Sequence, residues 1–265
     1  MCGLFGFTSY NRIEKPSVLT NMLAQQSAVR GTDATGIAYC IGDRICIKKE
    51  GKSAYALDFS VPAGVTAVMG HTRHTTQGSE RQNYNNHPFM GKARNQHFAL
   101  AHNGVLSNDD DLKRKHHLPW SKIKTDSYVA VQLLEKEREI NFNSLRNMAE
   151  MVEGSFSFTV LDSKNNLYFI KGDSPLSILH FPKEKLYVYA STDSILWKSL
   201  IETPLFDSLK KGEFEIVPIE SGDILKITSS GTIEKDQFRY VESYGTNWRS
   251  YGCFSFGHSK YVEEL

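Results

Sequence analysis

Apolar residues along the chain come in short runs broken by glycine, asparagine and aspartate, and helical spacing is confined to a few intervals. Leu4, Phe5 and Phe7 read as a strand that buries the amino-terminal end. Pro16 to Arg30 predicts a helix, with Val18 and Met22, and Leu19 and Leu23, recurring at i, i+4. Ile37 to Cys40 and Arg44 to Lys48 predict a hairpin around Ile41-Gly42-Asp43. Val65 to His71 and His97 to His102 predict further strands, the second ending at His102-Asn103-Gly104; Lys49 to Ala63 is ambiguous. Asn108 to Leu118 is charged and reads as a surface helix or loop. Thr125 predicts an N-cap for a helix running to about Arg138, and Asn143 to Val152 predicts a second helix.

From Ser155 onward strands return: Ser155 to Leu161, Asn166 to Lys171, Leu176 to Phe181, Leu186 to Ser191, Glu213 to Pro218, Ile224 to Thr228 and Thr232 to Asp236. A short helix over Ile195 to Leu200 interrupts them. Strands, two helices, then strands again predict an α+β fold of two sheets packed with helices, not a doubly wound parallel sheet. With no internal repeat or linker, one domain over residues 2–236 is the economical reading. Residues 237–265 form an aromatic-rich tail without clean periodicity, whose role the sequence leaves open.

Charge narrows the partners. The 31 basic and 30 acidic residues leave a net charge of +1, which gives no electrostatic footprint for nucleic acid or an anionic membrane. No apolar run reaches the roughly 18 residues that span a bilayer, and no secretory signal is visible, so a cytoplasmic protein is expected. Cys2, Cys40, Cys46 and Cys253 form no C-x-x-C pair. No disulfide, structural zinc or cofactor is expected.

Candidate chemistry sits where core packing does not require polar residues. Removal of Met1 would make Cys2 the first residue, placing a thiol and a free α-amine on one carbon framework. The thiol is a nucleophile, and an amine of pKa about 7.7–8.0 can act as its base at neutral pH. Arg73 follows a strand and Asp126 opens a helix. Each alone reads as a salt bridge or a cap, but together they could hold both charged ends of an α-amino acid. Asn103-Gly104 reads either as a type I′ turn or as an oxyanion hole built from an amide and a backbone N–H. His87, His97 and His102 match no simple ligand spacing, so no metal is expected.

These motifs occur in an informative order: Cys2-Gly3-Leu4-Phe5-Gly6, Arg30-Gly31-x-Asp33-x-x-Gly36, Gly70-His71-Thr72-Arg73-x-x-Thr76-x-Gly78, His87-Pro88, His102-Asn103-Gly104 and Thr125-Asp126. The chain resembles the class II glutamine amidotransferases, most of all the glutaminase domain of glutamine–fructose-6-phosphate aminotransferases, over roughly Cys2 to Asp236. The resemblance implies an N-terminal nucleophile hydrolase fold, a four-layer αββα sandwich of two antiparallel sheets between helices. It implies Cys2 as nucleophile with its own α-amine as base, and Asn103 and Gly104 as the oxyanion hole. Arg73 would clamp the α-carboxylate of L-glutamine and Asp126 its ammonium group, with His74 and Thr76 along the pocket. The implied reaction releases glutamate and ammonia through a γ-glutamyl thioester on Cys2.

Three departures qualify the resemblance. His74 stands where the family often has an aromatic residue, Gln77 stands where the aminotransferase has a histidine, and no synthase region follows. The expectation is therefore a stand-alone glutamine-hydrolysing domain passing ammonia to a separate synthase subunit. The alternatives are a hydrolase of another small amide and a non-catalytic glutamine-sensing subunit.

Overall fold

The computed structural model describes residues 1–241. The chain opens with β1 (Gly3–Ser9), α1 (Pro16–Ser27) and a single 3-10 turn (Ala28–Arg30). The hairpin of β2 (Ala34–Ile41) and β3 (Arg44–Glu50) turns on Gly42, whose φ of +60° suits a two-residue hairpin turn. Next come β4 (Ala67–Arg73), β5 (Phe89–Ala93) and β6 (Gln96–Leu106). Three helices follow: α2 (Asp109–Lys115), α3 (Tyr128–Glu135) and α4 (Phe142–Met151). Four strands return as β7 (Gly154–Asp162), β8 (Leu167–Lys171), β9 (Ser177–Phe181) and β10 (Leu186–Ala190). The described chain finishes with α5 (Asp193–Leu200), α6 (Phe206–Lys210), β11 (Glu215–Ile216), β12 (Asp223–Ile227) and β13 (Ile233–Gln237).

All the strand pairings are antiparallel. They build a seven-stranded sheet, β11-β9-β10-β1-β4-β2-β3, and a six-stranded sheet, β13-β12-β8-β7-β6-β5. Three apolar clusters place the layers. Phe5, Phe7 and Val188 of the first sheet pack on Leu19 and Leu23 of α1 and Leu196 and Leu200 of α5. Leu4, Met69 and Tyr189 turn the other way, onto Ala99, Leu161, Phe169 and Leu225 of the second sheet. The far face of that sheet, with Phe98, Phe158 and Ile170, is covered by Val129 of α3 and Leu145 of α4. The result is the αββα sandwich. Period-two alternation in β1 sends Leu4 to one layer and Phe5 and Phe7 to the other. Each such buried ring contributes about 1.5–3 kcal/mol, enough to anchor the amino-terminal end.

Several local expectations change. α1 buries Leu19 and Leu23, while Val18 on the neighbouring row is 41% exposed. β6 does not end at His102, because β7 continues to pair with it through Asn103↔Ser157, Gly104↔Phe156 and Leu106↔Gly154. That rules out the type I′ turn. Thr125 is not a helix cap: its hydroxyl is buried without a partner, and α3 starts after Ser127. β5 and α6 were not expected; β5 is a five-residue strand with a glycine at its centre, too short for a periodic signal. Beyond residue 236, Phe238 is 6% exposed and stacks 5.9 Å from Phe156, while Tyr240 meets Phe156 edge-on at 5.6 Å. The rest of the expected tail, with Cys253, lies outside the described residues.

Candidate active site

β1 is the central strand of the first sheet, held between β10 and β4. Gly3 pairs with Thr72, so Cys2 comes to rest beside Arg73. The 3-10 turn after α1 delivers Arg30, whose Nε–H donates to the Cys2 carbonyl at 2.7 Å. Gly31 then crosses the Arg73–His74 peptide so closely that a Cβ would lie 2.4 Å from the Arg73 carbonyl carbon. Only glycine permits that approach. The Cys2 thiol faces the His74 carbonyl at 3.6 Å. Burial pushes the thiol pKa up, opposed by the backbone at His74, the chain's amino terminus and Arg73; Asp126 adds to the rise. Met1 is 78% exposed.

Arg73 is 3% exposed, and the loop that follows wraps its guanidinium. One terminal nitrogen donates to Asn86 Oδ1 at 2.7 Å; the other donates to the Gln77 carbonyl and to that of Gly78 at 2.9 Å. Asn86 is fully buried and donates in turn to the Glu80 carbonyl at 2.8 Å. Lys49 reaches across from β3 and donates to the Asn86 and Pro88 carbonyls at 2.5 and 3.0 Å. Burial, aided by the charge of Arg73, pulls its pKa down to about 8.

Asp126 is 4% exposed, and its Oδ2 accepts the Leu106 N–H at 2.6 Å. Arg73 feels the charges of both Cys2 and Asp126. Yet among the described residues neither Arg73 nor Asp126 has an ion-pair partner. Two opposite charges are thus buried beside one thiol without meeting, an expensive arrangement until a ligand pairs them.

Asn103 and Gly104 lie on β6 where its partner on one side has stopped. β5 pairs no further than Phe89↔Leu100, so beyond that point this edge of β6 carries no strand. An open edge leaves backbone N–H groups available. Asn103 Nδ2 stands 3.5 Å from Ser191 Oγ, which accepts the Leu4 N–H at 2.9 Å. Gly104 has a φ of +141°.

The structure therefore brings Cys2, Arg73 and Asp126 together and ties Asn103 through Ser191 to Leu4, two residues from Cys2, with Gly104 next along β6. It does not do the same for two others. The His74 side chain is exposed and lies 3.8 Å from the Asp33 carboxylate; only its carbonyl faces Cys2. Thr76 is exposed, whereas the Thr75 hydroxyl is buried without a partner. The three histidines also regroup: His97 is exposed, and the His71 ring instead lies tilted 4.2 Å from that of His87. Sequence reasoning assigned no role to Asn86, Ser127, Ser191 or Lys49. Ser191 follows β10 directly, and nothing local in Ala190-Ser191-Thr192 sets it apart.

Residues 71–198 match a family model described as a glutamine amidotransferase domain. The chain belongs to the class II glutamine amidotransferases. The isomerizing glutamine–fructose-6-phosphate aminotransferase of Staphylococcus aureus (strain N315) is 32% identical over 189 residues, covering 66% of this chain and 30% of the relative. Its counterpart in Halalkalibacterium halodurans is 31% identical over 186 residues, covering 67% and 30%. The chain thus spans under a third of the length of these curated relatives. Among solved structures, the glutamine phosphoribosylpyrophosphate amidotransferase of B. subtilis, complexed with ADP and GMP, superposes with a TM-score of 0.70. It shares 21% identity and covers 90% of this chain and 49% of the other. That likeness establishes the fold of the amidotransferase domain.

Proposed function

We propose that this domain hydrolyses the side-chain amide of L-glutamine at Cys2 and supplies the ammonia to a synthase. The observation that carries the reading is the pair of buried, mutually unpaired charges, Arg73 and Asp126, near the Cys2 thiol. A free α-amino acid provides a carboxylate for the first and an ammonium for the second. A blocked amide provides neither.

The chemistry follows from the groups present. With Met1 removed, the Cys2 α-amine takes the thiol proton, which offsets the rise that burial imposes on the thiol. Sulfur attacks the amide carbon, and the carbonyl becomes an oxyanion facing Asn103 Nδ2–H and the Gly104 N–H. The α-ammonium then returns its proton to the departing nitrogen, releasing ammonia and leaving a γ-glutamyl thioester. Water, deprotonated by the same amine, releases glutamate and restores the thiol. Each oxyanion donor is worth about 100- to 1,000-fold in rate. The names of the relatives, which join glutamine to an acceptor sugar phosphate, support delivery of the ammonia to a synthase site.

Intact mass after incubation with 6-diazo-5-oxo-L-norleucine, an electrophilic glutamine analogue, tests this reading. The expected spectrum shows loss of Met1 and one adduct, mapped to Cys2 and blocked by excess glutamine. Processed protein that takes no adduct and releases no glutamate from glutamine would overturn it. Cys2→Ala should abolish turnover and retain glutamine binding.

A further inference from the structure

Behind the charged pair runs a buried polar chain that the hydrolytic steps do not use. It begins at His71, two residues before Arg73 in β4. His71 Nε2 lies 2.9 Å from the His102 carbonyl oxygen. A carbonyl only accepts, so this nitrogen carries the proton. His102 immediately precedes Asn103, and its ring stacks on Phe158 at 4.6 Å. Its Nδ1 lies 2.8 Å from Ser127 Oγ, and Ser127 Oγ lies 3.3 Å from Asp126 Oδ1. All four side chains belong to residues that are at most 4% exposed.

Burial lowers the His102 pKa, so the ring is neutral and carries one proton. On Nε2, that proton would face the Ser155 carbonyl at 3.4 Å, a long contact. The Ser127 proton would then be drawn to Nδ1, leaving Asp126 Oδ1 against a hydroxyl lone pair. On Nδ1, the proton is donated to Ser127 Oγ, and Ser127 is free to donate to the carboxylate. The hydroxyl–carboxylate contact is also long, at 3.3 Å, but its acceptor is ionised, which outweighs a neutral bond of similar length even though it leaves a bare Nε2 facing the Ser155 carbonyl.

We propose that His102 and Ser127 are positioning residues for Asp126, acting through an Nδ1–H to hydroxyl to carboxylate relay. This rests on the reading of Asp126 as the group that receives the glutamine ammonium. A carboxylate held only at Oδ2, by the Leu106 N–H, keeps a broad torsional well. The relay fixes the second oxygen and leaves its remaining lone pairs for the substrate. Because His102 is bonded to Asn103, one side chain couples the ammonium site to the oxyanion donor. His71 braces the same backbone from the strand that carries Arg73.

The test compares inhibition by L-glutamate and by glutarate, the same diacid without its α-ammonium, in Met1-processed protein. Ser127→Ala should weaken glutamate about 10-fold and leave glutarate within about twofold, as expected for one charge-assisted bond. Ser127→Thr, which keeps the hydroxyl, should restore glutamate. Equal losses on both ligands in Ser127→Ala would overturn the relay, since general damage does not distinguish them. Asp126→Asn serves as the reference. If it leaves the glutamate-to-glutarate ratio unchanged, the ammonium reading fails and takes the relay with it. If it lowers the ratio while Ser127→Ala does not, the relay alone is overturned. Histidine ¹⁵N spectra of the wild type need no variant to fold: protonated Nδ1 and bare Nε2 at His102 are expected, and the opposite tautomer would refute the relay.

Discussion

The Ser191 hydroxyl accepts the Leu4 N–H at 2.9 Å and stands 3.5 Å from Asn103 Nδ2, while the Ser191 N–H donates back to the Leu4 carbonyl at 2.9 Å. One oxygen just past β10 thus sets the spacing between β1, which follows Cys2, and the amide read as an oxyanion donor. Ser191→Ala should leave the buried Leu4 N–H unpaired and destabilise the fold by about 1–3 kcal/mol. It should also lower kcat by about 10-fold or more with little change in KM, because the misplaced groups act after glutamine is bound. Urea unfolding and steady-state glutaminase kinetics check the two effects separately. A kcat equal to wild type would show that the serine only ties strands together.

Gly104 offers a sharper steric test. Its φ of +141° lies where L side chains rarely go, and a Cβ would sit 1.9 Å from the Ser155 carbonyl oxygen across the β6–β7 ladder. Gly104→Ala should therefore cost about 1–3 kcal/mol in backbone strain alone and push β6 away from β7. Adjacent Asn103 would move with the strand. A loss of stability together with a drop in turnover of about 100-fold or more is expected, read by thermal unfolding and ammonia release. Stability that falls while turnover survives would remove Gly104 from the oxyanion hole.

The contrast between these two residues shows what the chain discloses before it is folded. Glycine beside asparagine at a strand end is a local signal, and the motif order around it is distinctive enough to point to an oxyanion hole. That the strand continues past it is not local, since β7 supplies the partner from about 50 residues away in sequence, a pairing set by the register. Ser191 is harder still: a serine after a strand is commonplace, and its importance exists only once β10 lies beside β1. The core strands were legible because Leu4, Phe5 and Phe7 must be buried somewhere. β5 was not, since Phe89–Ala93 is short and interrupted by Gly91. Motif position puts His74 and Thr76 along the pocket, and in the fold both are exposed.

Acid should destabilise this protein through its buried histidines. Burial pushes the His71 pKa to about 3 and lowers those of His87 and His102. Below about pH 6.5 the unfolded chain binds protons at these sites and the folded chain does not, so stability falls as pH falls. For His71 the loss runs from about pH 6.5 down to about 3, at roughly 1.4 kcal/mol per pH unit. His87 isolates the effect. Its ring lies tilted 4.2 Å from that of His71 and 4.4 Å from that of Phe89, and neither ring nitrogen has a hydrogen-bond partner among the described residues. His87→Phe removes the titrating group and two unpaired polar atoms while keeping an aromatic ring. Urea unfolding from pH 7 to 4.5 should show a shallower decline in the variant. Parallel declines would mean that the His87 site admits a proton in the folded state.

The carboxyl-terminal limit of the domain can be tested by where its last aromatic rings sit. Phe238 stacks on Phe156 and Tyr240 meets it edge-on, and Phe156 lies on β7 opposite Gly104. A chain cut after Asp236 loses both rings and bares the face of Phe156, whereas one cut after Val241 keeps them. The shorter chain should lose about 3–5 kcal/mol, the range for deleting a large aromatic from a core, and part of its turnover, because Gly104 is paired with the strand that loosens. The longer chain should retain these contacts. Comparing the two by thermal unfolding isolates residues 237–241. Equal stability in both would mean that the packing of Phe238 and Tyr240 adds nothing to the fold.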